Sequence, residues 1–461
     1  MAYISMIPHL TLLLLFITTF SYSETPLSDD ETLLLLSPYE QESAYRVLES
    51  VNSDINWRSI FPDDLCNSGP HGLVCDYFFD EDGDNGSVHI TELSFGYVSE
   101  YSSNPPCSFN STFSPSLTNF SQLKKLFFYK CFTDKEVSIP GYFSNLTSTL
   151  QQLVFIENPS LFGTLNGKLS TLTSLRRLVI TGTQLSGKIP DDISGLLELE
   201  QITISRNKLT GEVPGSVGKL KKLKVLDLSY NGFQGVLPES IGNITNLVKL
   251  DIGFNQFNGR IPESLVGLQK LEFMDLSWNQ FGNYGVPLFL SEMKSLRELY
   301  LNGNKLGGQI PEIWENLDGI LGLGLSGLGL VGKIPSSMGK CLKNISFLSL
   351  DNNTLEGTVP EEFELLESIH ELNLENNKLS GRVKLSSKIE GRIKLRGNNG
   401  LCVDSEGVTS SYVKSNKGSG FIKLCNKPAV PNPNTVFLSV SALLSPYSHV
   451  FVFLIYLVFY Y

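Results

Sequence analysis

Four side chains suited to molecular recognition recur at a constant interval of 24 residues along the chain. They are Arg206, Tyr230, Phe254 and Trp278. Two further aromatic residues and three carboxylates lie close to this series: Phe273, Tyr300, Asp227, Asp251 and Asp275. Rigid aromatic rings and a guanidinium group supply much of the free energy of protein interfaces. The series therefore predicts a binding surface for a ligand, with Arg206 placed to meet a carboxylate.

Residues that could perform acid–base or metal chemistry are few and scattered. The histidines outside the C-terminal tail are His71, His89 and His370. None has the spacing of a catalytic triad or of a metal site. The paired acids are Asp191, Asp192, Glu361 and Glu362. Each pair follows a proline of a recurring segment, where a solvated face is expected, so the sequence predicts no catalytic residue, no metal site and no enzyme.

Two Gly-x-Gly-x-x-Gly matches begin at Gly322 and Gly327. A dinucleotide site requires this motif between a strand and a helix. Here Leu323, Leu325 and Leu330 occupy the periodic apolar positions of a repeat instead, so no nucleotide or other cofactor is expected. The formal net charge of −11 and the pI of about 5.1 argue against nucleic acid as a partner.

A tandem repeat positions all of these residues. Its units open at aliphatic residues 24 or 25 positions apart: Leu175, Leu199, Leu223, Leu247, Leu271, Leu296, Ile320, Ile345 and Ile369. The shared pattern is LxxLxLxxNxxxGxxPxxxxxLxx. Alternate leucines of a short strand point into a core, and a buried Asn can bond the backbone groups of the following turn. Such units bury their leucines only by stacking. The sequence therefore predicts an α/β solenoid of about 10–12 units over residues 90–400, curved, with a parallel sheet on its concave side.

The recognition residues flank the strand leucines in this pattern, so we expect them on the concave face. The sequence departs from the shared repeat pattern at three places. Thr183 and Leu328 occupy Asn slots, and the unit from Leu271 has GNYGVPLFL in place of the Gly-x-Ile-Pro segment. The outer face of that unit is expected to be irregular.

The segments GKIP, GEVP, GRIP, GQIP and GTVP carry a resemblance to the plant extracellular subtype of leucine-rich repeat protein. Within that resemblance, DDLCNSGPHGLVC is similar to the N-terminal cysteine cap (residues 24–89), and GNNGLC with Cys425 is similar to the C-terminal cap and linker (401–434). It implies disulfides Cys66–Cys75 and Cys402–Cys425. The pairing of Cys107 with Cys131 stays open, and Cys341 is left unpaired.

Both ends of the chain are apolar. Leu10–Phe20 followed by Ser21-Tyr22-Ser23 reads as a secretory signal peptide over residues 1–23. Residues 435–461 read as a membrane anchor, either a transmembrane helix or a lipid-anchor signal. An exported chain also gives meaning to its Asn-x-Ser/Thr sites. These glycosylation candidates are Asn85, Asn110, Asn119, Asn145, Asn243, Asn344 and Asn352.

The combination of repeat, caps and tail without a kinase motif resembles the plant receptor-like proteins of the short Too Many Mouths group. That resemblance implies a plasma-membrane protein with an extracellular body, which perceives a secreted peptide or elicitor together with a leucine-rich repeat receptor kinase. The alternative is a cell-wall protease or glycanase inhibitor of the polygalacturonase-inhibiting type. Those inhibitors share the repeat but lack a membrane tail, so the apolar tail is the discriminating feature.

Overall fold

The computed structural model describes residues 34–79, 86–97, 104–167, 169, 171–384, 389, 391–404 and 423–425. One strand from each unit joins a single 14-stranded sheet, in which β1 and β2 are antiparallel and the other neighbouring pairs are parallel. Its strands are β1 (Leu73–Phe79), β2 (Gly86–Phe95), β3 (Lys125–Tyr129), β5 (Gln152–Ile156), β7 (Arg177–Thr181), β9 (Gln201–Thr203), β11 (Val225–Asp227), β13 (Lys249–Asp251), β15 (Phe273–Asp275), β17 (Glu298–Tyr300), β18 (Gly322–Gly324), β20 (Phe347–Ser349), β22 (Glu371–Asn373) and β24 (Ile393–Lys394). The predicted repeat solenoid with one parallel sheet is confirmed.

Short strands after the Asn of each unit form two smaller sheets. The seven-stranded sheet contains β4 (Val137–Ser138), β6 (Leu161–Gly163), β8 (Gln184–Gly187), β10 (Lys208–Gly211), β12 (Gly232–Val236), β14 (Gln256–Gly259) and β16 (Gln280–Phe281). The five-stranded sheet contains β19 (Val331–Lys333), β21 (Thr354–Gly357), β23 (Lys378–Val383), β25 (Gly400–Val403) and β26 (Lys423–Leu424). We call these two the lateral sheets.

Helices close the remaining side of each coil and the N-terminal end. The α-helices are α1 (Pro38–Val51), α2 (Trp57–Ile60), α3 (Leu65–Ser68) and α4 (Ser337–Cys341). The 3-10 helices span Pro115–Asn119, Gly141–Asn145, Asp191–Gly195, Gly215–Lys219, Glu239–Asn243, Glu263–Gly267, Leu288–Glu292, Trp314–Asn316 and Glu361–Leu365. Most of the 3-10 helices follow a proline, whose fixed φ suits the first turn of a helix.

The core is a stack of equivalent apolar positions. In the unit from Leu223, both Leu226 and Leu228 are fully buried, and the next unit places Leu250 and Ile252 at the same positions. Behind the strands, the rings of Phe233, Phe257 and Phe281 stack on one another with centroids 6.2 and 6.3 Å apart. Each unit covers the apolar face of its neighbour, which is how a solenoid obtains a continuous core.

A ladder of Asn side chains satisfies the turn after each strand. Asn255 illustrates it: its Oδ1 accepts from the Phe233 amide at 3.0 Å, and its Nδ2 donates to the carbonyls of Leu228 and Ile252. The same arrangement recurs at Asn158, Asn207, Asn231, Asn279, Asn304, Asn353, Asn377 and Asn398. The predicted role of the Asn slot is confirmed, because these amides bond buried backbone groups of two neighbouring units.

The predicted irregular unit divides the lateral sheets. Strand β16 has two residues, and Asn283 and Gly285 then adopt positive φ angles of 61° and 74°. In this described part of the chain, single bridges join Gly282 to Lys305 and Gln309 to Val331 where regular strands would lie. The 14-stranded sheet continues without interruption through the same units.

Disulfides lie at both ends of the array. Cys66 and Cys75 join α3 to β1, with Cα atoms 5.6 Å apart, and Cys402 is bonded to Cys425 with Cα atoms 4.9 Å apart. The structure also joins Cys107 to Cys131, which ties the segment before β3 to the turn that follows β3. Cys341 is free and half-buried.

The predicted signal peptide (1–23) and membrane anchor (435–461) lie outside the described residues. Among the residues that are described, no helix is long and apolar enough to cross a bilayer.

Candidate functional site

The residue before each ladder Asn adopts a left-handed backbone conformation. Arg206, Tyr230, Phe254 and Trp278 have φ between 52° and 55°. At the same position the other units have Lys130, Glu157, Gly182, Gly303, Gly327, Asn352, Asn376 and Gly397, all with positive φ. We call this series the left-handed column. Gly and Asn adopt this conformation readily, whereas a bulky residue pays roughly 1–2 kcal/mol for it.

Three consecutive aromatic side chains of the left-handed column stack. The rings of Tyr230 and Phe254 are nearly parallel, with centroids 4.2 Å apart, and those of Phe254 and Trp278 are 5.8 Å apart. Tyr230 remains 42% exposed and Trp278 56% exposed. The stack is thus an apolar strip that faces solvent.

Both ends of the aromatic stack are defined by their neighbours. The guanidinium of Arg206 lies 6.0 Å from the centre of the Tyr230 ring and 3.7 Å from a carboxylate oxygen of Glu157. At the other end, the indole of Trp278 covers Gly303. A Cβ added at Gly303 would lie 2.7 Å from Cε3 of that indole, so a residue with a side chain there would displace Trp278.

The six predicted recognition residues fall into two groups. The left-handed column lies in the turn that follows the strands: Tyr230 comes three residues after β11, and its amide donates to the Gly253 carbonyl at 3.0 Å. Phe273 and Tyr300 lie within β15 and β17 themselves. The surface therefore has an aromatic row on the strands and an aromatic stack beside them.

The strand row extends further than the sequence indicated. Phe273 and Tyr300 are 5.9 Å apart, and Tyr300 and Phe347 of β20 are 6.4 Å apart. The Tyr300 ring lies across β18, because a Cβ at Gly322 would be 2.7 Å from its hydroxyl and a Cβ at Gly324 would be 2.8 Å from its Cδ1. These glycines, which form part of the Gly-x-Gly-x-x-Gly matches, make room for an aromatic ring in place of a phosphate loop.

A ladder of carboxylates lies at the ends of three strands of the 14-stranded sheet, in the register position that Tyr300 occupies on β17. Asp227, Asp251 and Asp275 occupy the same register position on β11, β13 and β15. Lys249 Nζ lies 3.2 Å from Asp227 and 3.5 Å from Asp251. Burial and the neighbouring Asp227 raise the pKa of Asp251 well above its usual range, and burial also raises the pKa of Asp275.

Asp227 and Asp251 also differ in their hydrogen bonds. The hydroxyl of Ser229 donates to Asp227 at 2.7 Å. The corresponding position of the next unit is Gly253, which offers Asp251 its backbone amide at 3.2 Å. Asp251 therefore lacks the hydroxyl donor that Asp227 has.

The residues with catalytic potential remain dispersed. His89 Nδ1 lies 2.9 Å from Glu40, and His370 Nδ1 lies 2.9 Å from the Ser346 hydroxyl. His71 is exposed, as are Asp191 and Asp192 at the start of a 3-10 helix. Within the described ranges, no group of three or more His, Cys, Asp or Glu side chains is arranged to hold a metal ion.

Five of the seven glycosylation candidates are exposed residues of the described part of the chain. Asn85 lies outside the described residues, and the exposed sites are Asn110, Asn145, Asn243, Asn344 and Asn352. Asn119 is half-buried and donates its amide to the Ser43 hydroxyl at 3.0 Å. Asn352 belongs to the left-handed column, three units beyond Trp278.

The coiled parallel sheet, the Asn ladder and the paired caps define a leucine-rich repeat fold, and residues 163–392 match the family model described as a leucine-rich repeat region. The chain is similar to the plant leucine-rich repeat receptor-like proteins, as its sequence indicated.

Two curated relatives from Arabidopsis thaliana carry this similarity. Protein Too Many Mouths is 36% identical over 140 residues, which cover 30% of this chain and 26% of that protein. Receptor like protein 29 is 34% identical over 148 residues, which cover 32% of this chain and 30% of that protein. The matched part thus spans about a quarter to a third of the length of each relative.

Among solved structures, the chain is similar to the plant peptide hormone receptor RGFR1 in complex with RGF2. The TM-score is 0.57 with 27% sequence identity, over 68% of this chain and 46% of that receptor. Plant receptor ectodomains therefore share the architecture described above.

Proposed function

We propose that this protein is a cell-surface receptor-like protein that binds an extracellular peptide or elicitor on its aromatic surface. The observation that carries the proposal is the exposed stack of Tyr230, Phe254 and Trp278 at left-handed positions. Gly or Asn would serve the fold better at these positions, and other units have them. Strained residues of this kind cluster where a protein uses the side chain for binding.

The shape of the surface suits an extended peptide. Neighbouring units repeat the same backbone path, so a ligand lying across them meets equivalent positions at regular intervals. The aromatic stack offers large, rigid contact area at low entropic cost, and the strand row of Phe273, Tyr300 and Phe347 supplies a second apolar edge. The receptor RGFR1, to which the chain is similar, was solved with the peptide RGF2.

Signal transfer in this proposal depends on a partner. We expect a leucine-rich repeat receptor kinase to relay the bound state. The apolar tail at 435–461 holds the protein at the plasma membrane, as a helix or through a lipid. If the full chain fractionates with membranes and a chain ending at Pro433 is secreted, the anchor is supported. Release of the full chain by phospholipase would then identify a lipid anchor in place of a transmembrane helix.

The test is capture by the full-length chain at the surface of plant cells, followed by mass spectrometry of the bound proteins and peptides. We expect a receptor kinase and a secreted peptide, both lost in the triple variant Tyr230→Gly, Phe254→Gly, Trp278→Gly. Glycine keeps the left-handed backbone, so this variant removes the rings without straining the turn. Tyr284→Ala is the matched control, because Tyr284 is 64% exposed outside the column.

Two outcomes would contradict the proposal. Equal capture by the triple variant and the wild type would remove the aromatic stack from the binding site. Capture of a secreted protease or glycanase, by a chain found freely soluble in the cell wall, would identify an inhibitor instead.

A further inference from the structure

One arginine of the concave sheet is held in place by neutral partners. Arg177 on β7 is in register with Gln152 of β5 and Gln201 of β9. Its Nε donates to Oε1 of Gln201 at 3.1 Å, and its Nη1 donates to Oε1 of Gln152 at 3.3 Å. The amide of Gln201 is itself oriented, since its Nε2 donates to the Thr203 hydroxyl at 3.0 Å. The guanidinium is thus fixed between two strands by glutamine oxygens.

No carboxylate pairs with Arg177 among the described residues. Nearby arginines differ in this respect: Arg176 is paired with Glu200, and Arg206 lies 3.7 Å from Glu157. Arg177 is also half-buried, and burial lowers its pKa. A partly desolvated cation without a counter-charge is unfavourable in isolation, and an incoming anion would relieve that cost.

The glutamines leave much of the guanidinium available. An arginine has five N–H donors in a planar fork, of which the two described bonds use Nε and one Nη1 hydrogen. The remaining donors suit the parallel two-bond pairing that a carboxylate makes with arginine.

We propose that Arg177, held by Gln152 and Gln201, binds a carboxylate of an extended peptide ligand. This inference rests on the proposed peptide-binding function. It also orients the peptide, because its carboxylate would lie at β7 and the rest of the peptide would extend towards β15. Four strand spacings separate β7 from β15, which at ~4.8 Å each is roughly 19 Å, or about six residues of extended chain. The acidic group of the ligand therefore lies about six residues from the part that contacts Phe273.

The experiment uses the full-length chain, purified in detergent, and a synthetic library of random peptides of about twelve residues, which span roughly 40 Å when extended. Half of the library has free C-termini and half has amidated ones. Peptides retained by the wild type are sequenced. We expect enrichment of one Asp or Glu if a side chain supplies the carboxylate, or of free C-termini if the chain end does.

Variants then assign the preference to Arg177. Replacing the selected carboxylate with an amide should weaken binding to the wild type about tenfold, the size of one charge-assisted pair. The same replacement should leave binding to Arg177→Gln unchanged. Arg176→Gln is the matched control, since Arg176 is the adjacent, exposed arginine paired with Glu200, and it should keep the wild-type preference.

A second variant guards against loss of folding. Gln201→Glu supplies Arg177 with an internal counter-charge, so this variant should fold with an unchanged or higher melting temperature and yet lose the preference for acidic peptides. Selected peptides without a carboxylate preference, or a preference that survives in Arg177→Gln, would overturn this inference alone. Failure to retain any peptide would overturn the proposed function together with it.

Discussion

The column of ladder Asn residues and the left-handed column lie side by side and repeat with the same period, but their side chains point in opposite directions. Asn231 and Asn255 are turned inward and bond backbone groups of neighbouring units. Tyr230 and Phe254, one residue earlier, stack outside. The inward column tolerates few residue types because its partners are fixed backbone atoms, whereas the outward column changes from Lys130 to Trp278 along the array. The fold therefore fixes the side chain of one residue in each turn, whereas the side chain of the preceding residue varies from unit to unit.

The largest effect is expected from breaking the inward column. Asn255→Ala removes bonds to the Phe233 amide and to the Leu228 and Ile252 carbonyls, which leaves buried polar groups unpaired. We expect a loss of about 3 kcal/mol in the free energy of unfolding. Denaturant titration measures it, with Phe254→Ala next door as the control. Equal losses in both variants would contradict the division of work between the columns.

Breaking the outward column should affect binding more than folding. Trp278→Ala removes an exposed aromatic anchor worth on the order of 2 kcal/mol, so affinity for the captured peptide or kinase ectodomain should fall roughly thirtyfold. Calorimetric titration and thermal melting of the same variant separate the two quantities. A lowered melting temperature with unchanged affinity would show that the ring supports the fold instead. The later strands around Phe347 and Glu371 would then be the next place to look for the ligand.

Two substitutions at Trp278 test whether the left-handed backbone conformation costs stability. Trp278→Gly and Trp278→Ala both remove the indole, but alanine retains a Cβ at a φ of 52°. The glycine variant should be more stable than the alanine variant by about 1 kcal/mol. The reverse order would mean that the turn relaxes to another conformation once the ring is gone.

The smallest effect concerns the carboxylate ladder beside both columns. The groups that face Asp251 are Lys249 on its own strand, Asp227 on β11 and Asp275 on β15. The raised pKa of Asp251 means that folding disfavours its ionised form, so stability should decline as pH rises from the usual range of a carboxyl group through the folded pKa. Asp251→Asn should flatten this decline, and unfolding titrations across pH would reveal it. A steeper decline in the variant would show that Lys249 overcompensates the charge.

Much of the architecture could be predicted from the sequence because the spacing of the leucines equals the length of one repeat unit. The strand positions, the Asn ladder and the irregular unit at Asn283 all follow from residues whose roles are local. The site was less accessible, because side-chain neighbours depend on the rotation between units. Nothing local indicates that Tyr300 covers Gly322 and Gly324, or that Arg177 meets two glutamines.

The positions of the left-handed column could have been identified from a subtler signal. Gly182, Gly303 and Asn352 at the equivalent places mark a backbone that favours small or amide residues. Aromatic residues in a series of glycine and asparagine therefore predict a strained backbone from the sequence alone. The sequence carried no comparable signal for the Cys107–Cys131 bond.

The division of the lateral sheets has a consequence for cooperativity. Stability of a repeat array is the sum of unit terms and nearest-neighbour coupling terms, and the units around Asn283 are joined there by single bridges at Gly282 and Gln309. The lateral sheets therefore couple these units weakly, and the same units contain Trp278 and Tyr300. Opening fluctuations should begin at this seam, and amide hydrogen exchange would be fastest there among the central units. A ligand that contacts units on both sides of this seam would couple the two halves of the array. Ligand binding should therefore slow amide hydrogen exchange even at units that the ligand does not contact.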